Sequence, residues 1–178
     1  MLRTIAFHGV IAGLVVGIPT FGLPVVLQGM PPMTYGMIIG YATMLIALSA
    51  VFLAIKHYRD REGGGVIRFW PAFGIGLGVT FVASLFYVAA WEAAMAVTHL
   101  DFAAMYGHAL IEKKRATGAS AEEIARLAAE MQQFAIDYAN PLFRLPMTFA
   151  EIFPVGVIVS LLSAALLRNS RFLAVRRA

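Results

Sequence analysis

Two carboxylates, Glu92 and Glu151, are the residues whose position most invites chemistry. Each lies at the edge of a long apolar run, and a carboxylate at the rim of a bilayer core is costly unless it is paired, protonated or wet. A proton or cation site formed between the helices that carry them would need such a pair, with Pro154 loosening the backbone beside Glu151. Each also has a plainer reading. Glu92 follows Trp91, a residue type that favours the membrane interface, and would then simply face water. Glu151 stands three residues after Thr148 in a capping-box pattern and would cap its own helix.

Other candidates carry weaker signals. His99, Asp101 and His108, with Glu112 beyond them, offer metal-ligand chemistry, but the histidines lack the spacing of three or four residues that a helical chelate needs, so no metal is expected. His8, near the start of the first apolar run, reads as a satisfied packing or interfacial histidine. Ser49, Ser84, Ser160 and Ser163 lie in apolar runs with no His at matching depth, which disfavours nucleophilic catalysis. With no Cys in the chain, thiolate chemistry, disulfides and cysteine metal sites are excluded. No cofactor and no catalytic residue is expected. At the other end, Lys56, Tyr58, Arg59, Asp60 and Arg61 form a loop suited to anionic lipid headgroups or a cytoplasmic partner.

The elements that must position these residues are helices in lipid. The chain has 178 residues, 60% of them hydrophobic and 13% charged, with a mean hydropathy of +0.78, outside the range of a soluble domain. A net charge of +4 does not point to nucleic acid, because the basic residues occur in short groups beside apolar runs, the pattern of membrane topology. Spans are expected over about 5–27, 35–55, 69–97 and 147–168, each long enough for a hydrocarbon core of ~30 Å at ~1.5 Å per residue. The first is read as an uncleaved span and not as a signal peptide. Pro19 and Pro24 should kink or unwind its far third, an uncharged turn containing Pro31-Pro32 should follow, and Gly63 to Gly65 should end the second helix. Trp70 and Trp91 bracket the third run by roughly one hydrocarbon thickness. The polar segment 98–145 is expected to be a helical hairpin. Ser120 and Glu123 would cap its second helix, and Asn140-Pro141 would close it. The fourth helix should begin after Pro146.

Orientation follows from charge. Arg3, the group Lys56, Arg59, Arg61 and Arg68, and the tail residues Arg168, Arg171, Arg176 and Arg177 would all face the cytoplasm if both termini are inside. The expected fold is therefore all-α: a single integral membrane domain, 1–178, of four transmembrane helices, with an extracytoplasmic hairpin between the third and fourth. Small residues recur every fourth position: Gly9, Gly13 and Gly17; Gly36 and Gly40; Gly74 and Gly78; Gly156, Ser160 and Ala164. Such stripes let helices approach closely, either inside one bundle or across a homodimer.

Gly40-Tyr41 with Met44 to Ser49, Lys56 to Asp60, Gly64-Gly65 with Phe69, Trp91-Glu92, Asp101-Phe102 with Tyr106, Asn140-Pro141, and Thr148 to Gly156 together resemble the membrane family known as domain of unknown function 4199. The resemblance spans nearly the whole chain. It implies a four-helix protein of the bacterial inner membrane and carries no reaction with it. Three functions remain open on these grounds: a non-enzymatic accessory or assembly factor with a homodimer or other membrane partner, a small proton-linked or cation transporter using Glu92 and Glu151, and a membrane enzyme acting on a lipid-linked substrate.

Overall fold

A computed structural model describes residues 1–29 and 33–173. Pro31-Pro32 of the expected turn and Arg176 and Arg177 of the tail lie outside them. The described residues form six helices and no strand: α1 (Leu2–Leu27), α2 (Met33–Arg61), α3 (Phe69–Thr98), α4 (Phe102–Ala116), α5 (Ala121–Ala139) and α6 (Pro141–Leu167). Four of them, α1, α2, α3 and α6, are long and apolar enough to cross a bilayer.

Helix α1 runs through both of its prolines. Each proline removes one backbone donor and leaves the neighbouring bonds intact, so the expected unwinding does not occur. The helix ends only at Gln28, whose φ of 49° is left-handed and whose N–H donates to the Pro24 carbonyl. Helix α2 continues past Ile55 to Arg61, since a Lys56–Asp60 pair one turn apart (2.6 Å) and basic residues in the last turn favour its C-terminus. The glycines then stop it. The Gly63 N–H reaches back to the Tyr58 carbonyl (2.9 Å) and the Gly65 N–H to that of Arg59 (2.9 Å), with Gly64 and Gly65 at φ 61° and 90°, values that residues with a Cβ rarely adopt.

The helix α6 differs from expectation. It begins at Pro141 and not after Pro146, because Asn140 accepts the Leu142 N–H on its side chain (3.0 Å) and Pro141 fills the first helical position. Thr148 is therefore no cap: its hydroxyl donates back to the Arg144 carbonyl (3.0 Å). Helices α4 and α5 form an antiparallel hairpin, with Phe102 against Tyr138 and Tyr106 against Phe134. The capping box of α5 is complete, Ser120 accepting from the Glu123 N–H (3.2 Å) and Glu123 from the Ser120 N–H (2.8 Å).

The bundle is built around α3. Helix α1 lies parallel to it, where Cβ atoms on Gly9 and Gly13 would come within 2.7 Å of Val82 and 2.5 Å of Phe86. Helix α6 lies antiparallel on its other side, with Thr80 against Gly156 and Ser160 against Gly76. Those buried hydroxyls are satisfied: Ser160 donates to the Gly156 carbonyl (2.7 Å), and the Thr80 and Ser160 hydroxyls lie 3.3 Å apart across the two helices. Helix α2 closes the core through Ala47, Leu48, Val51, Ala54 and Ile55, each no more than 1% exposed. The start of α1, the α2–α3 loop and the chain after α6 meet at one end of the bundle, and the α4–α5 hairpin sits at the other. At the first end Glu62 binds the terminal ammonium (3.2 Å) and the Thr4 hydroxyl (2.9 Å). The Thr4 bond, then the ammonium, holds its carboxyl below the usual carboxylate range.

Candidate functional site

Because α3 and α6 run antiparallel, the last turns of α3 face the first turns of α6, and that juxtaposition builds the site. Arg144 donates from Nε to Glu92 Oε1 and from Nη2 to Oε2, both at 2.6 Å, a bidentate pair of planar groups. The pair is largely shielded, with the arginine 13% and the glutamate 29% exposed. A third donor, Nη1, reaches the Tyr138 carbonyl (3.2 Å), and the guanidinium lies 5.8 Å from the centre of the Tyr138 ring. Tyr138 in turn accepts the Trp91 indole N–H on its hydroxyl (2.8 Å), and burial pushes its phenol up to about 12. Phe102 closes the cluster edge-on to Trp91 at 5.1 Å. One ion pair thus fastens α3, the end of α5 and the start of α6 together.

Glu151 is placed elsewhere. It lies deeper along α6, on an exposed face, and accepts the Tyr87 hydroxyl (2.8 Å). Glu92 and Glu151 therefore have different partners, and the structure does not bring them into one two-carboxylate site. Tyr87 and Trp91 also line a cleft of about 130 Å³ between α1, α2 and α3, walled by Pro19, Thr20, Gly36, Gly40 and Thr43.

The basic loop is divided as well. Arg59 is fully buried, with its Nε on Asp60 (2.7 Å) and its two terminal nitrogens on the carbonyls of Phe172 (2.8 Å) and Leu173 (3.0 Å). It faces the protein interior and is closed to any outside ligand. Lys56 and Asp60 are partly exposed and Arg61 is exposed, while Tyr58 packs against the core. Of the small-residue stripes, Gly9, Gly13 and Gly17 face α3, Gly78 meets Ile5 and Gly156 meets Thr80, whereas Gly74 has only Met1 nearby and Gly40 nothing within 4 Å.

The histidine set does not converge. His99 is the left-handed residue after α3 (φ 52°), Asp101 caps α4 by accepting the Ala104 N–H (3.0 Å), and His108 is exposed on α4. Among the described residues no group of three metal-ligating side chains forms. The residues that sequence reasoning missed are Arg144, Tyr138 and Tyr87. A signal existed for the first, an arginine amid Leu142, Phe143 and Leu145, where an unpaired charge would be costly.

Fold and site define an all-helical membrane protein whose apolar bundle is locked to a polar hairpin by a shielded ion pair. The chain belongs to the family described as "Protein of unknown function (DUF4199)", whose model matches residues 8–169. No curated protein and no solved structure matches it.

Proposed function

We propose that this chain is a four-pass protein of the bacterial inner membrane, a single domain spanning through α1, α2, α3 and α6, with both termini and the α2–α3 loop cytoplasmic and the hairpin outside. The end that gathers Arg3, Lys56, Arg61, Arg68, Arg168 and Arg171 supports that orientation, since short basic segments stay inside. Its role is that of a non-enzymatic accessory or assembly factor: the bundle anchors and orients the α4–α5 hairpin for a membrane-protein partner or a second copy.

The observation that carries this reading is the Glu92–Arg144 pair, which turns a surface hairpin into a fixed platform. Photo-crosslinkers at the exposed hairpin positions Met105 and Ile136, used in native membranes, are expected to capture a protein; adducts with lipid alone would sink the accessory role. Anionic headgroups at the cytoplasmic end are the other partner proposed. If the partner is a second copy, the crosslinkers at Met105 and Ile136 capture this chain itself.

One observation favours a proton-linked or cation transporter as the second reading. Glu151, hydrogen-bonded to Tyr87 beside the α1–α2–α3 cleft, is a carboxylate at membrane depth. Glu92 is already neutralised by Arg144, so this reading rests on Glu151. Proton or cation flux in proteoliposomes that disappears in Glu151→Gln supports it, and the absence of flux in the wild type removes it.

A further inference from the structure

A second, polar cleft lies at the opposite end of the bundle, between the first turns of α1 and the last turns of α2. It is an open groove of about 410 Å³ lined by His8, Leu53, Lys56, His57, Asp60 and Arg61. Its charge is one-sided. The Asp60 carboxylate is occupied on both oxygens, by Arg59 (2.7 Å) and by Lys56 (2.6 Å), and Glu62 beside it is held by the terminal ammonium and Thr4. With Arg59 balancing Asp60 from inside the protein, Lys56 and Arg61 leave the cleft cationic. Lys56 keeps two of its three ammonium donors for a ligand.

The histidines complete the wall. His8 Nδ1 lies 2.9 Å from the Thr4 carbonyl, which can only accept, so the proton is on Nδ1 and Nε2 is the ring nitrogen left for other partners. The His57 ring stands 5.4 Å away across the helix contact, so the two rings join α1 to α2 at the cleft. Beneath these polar groups is Leu53, 54% exposed. A cationic rim beside the exposed Leu53, one turn nearer the middle of α2, matches a ligand with an anionic head and an apolar tail. Basic pockets between helices at the cytoplasmic face are where anionic lipid headgroups bind.

We propose that the His8–Lys56–His57–Arg61 cleft is a specific binding site for the phosphate group of an anionic phospholipid, distinct from diffuse attraction to the basic surface. It deepens the proposed lipid partnership by naming its residues, and it excludes Arg59 from them.

Native mass spectrometry of the full chain, released from nanodiscs of equimolar phosphatidylcholine and phosphatidylglycerol, tests this. The wild-type protein is expected to retain phosphatidylglycerol in preference to phosphatidylcholine. Arg61→Gln and Lys56→Gln each lower that preference roughly fivefold, while Arg68→Gln and Arg171→Gln, basic residues outside the cleft, leave it unchanged. Equal losses at all of these positions overturn the site in favour of surface attraction. Retention of added inorganic phosphate with no phospholipid overturns the lipid assignment. Lys56 also steadies Asp60, so the exposed Arg61 variant decides the outcome if Lys56→Gln does not fold. Retention is blind to sidedness, so its failure is distinct from a failure of the proposed orientation, which labelling of the termini reads.

Discussion

At the residue scale the bundle depends on giving its shielded charges partners, Glu92 with Arg144 and Arg59 with Asp60. Glu92 stands out in the sequence because a carboxylate beside an apolar run is rare and visible. Its partner does not, because Arg144 comes from a segment that reads as loop until Asn140-Pro141 is recognised as a helix start. Arg144→Gln would leave the Glu92 carboxylate, now 29% exposed, without its partner, so the bundle is expected to lose about 2–3 kcal/mol, somewhat less than for a fully buried pair. Unfolding in detergent measures the loss, and Glu92→Gln added to Arg144→Gln should recover part of it, as coupled partners do. Full additivity of the two changes would mean the pair is not a clamp.

At the element scale, close approach decides which glycines matter. The spacing of small residues is legible in every helix, yet spacing alone does not say which stripe faces inward, because a helix has the same periodicity on all sides. Gly156 touches Thr80 and Gly40 touches nothing. Gly156→Ala is therefore expected to destabilise the bundle by about 1–3 kcal/mol, the usual cost of overpacking, whereas Gly40→Ala should be neutral or slightly stabilising through helix propensity. Thermal unfolding of the two variants, compared with wild type, separates them. The α5 cap adds a pH-dependent element. Backbone and side-chain hydrogen bonds from Ser120 hold the Glu123 carboxyl below its usual range, so the folded state favours the charged form. That contribution is complete above the usual carboxylate range and is lost as pH falls through the lowered value. The protection of the Ser120 amide, measured relative to its intrinsic exchange rate, should fall as pH drops below the usual carboxylate range, and Glu123→Gln should remove that pH dependence.

At the scale of the whole molecule, an even number of long helices returns the chain to the end where it began. Arg59 secures that return, tying the last turn of α2 to Phe172 and Leu173. Arg59→Gln is expected to cost about 3 kcal/mol, as loss of one partner from a buried ionic network does, and to expose the segment after Leu167 to protease while the hairpin stays protected. Single cysteines at Leu2 and Leu173, probed with an impermeant thiol reagent in intact cells, should both stay unlabelled until the membrane is opened. Labelling of either in intact cells would overturn the proposed cytoplasmic placement of the termini.

Solvent and elements were legible residue by residue: long apolar runs need lipid, glycine triplets and capping boxes end or begin helices, and family membership follows from motifs along the chain. These are local properties, set by a residue and its near neighbours. It took the packed bundle to show that Glu92 pairs with Arg144 and Glu151 with Tyr87, that Arg59 turns inward while Arg61 turns out, and that His8 and His57 share a cleft. Those pairings join residues far apart in the chain, and the register of one helix against another, which brings them together, is a property of shape that no local pattern encodes.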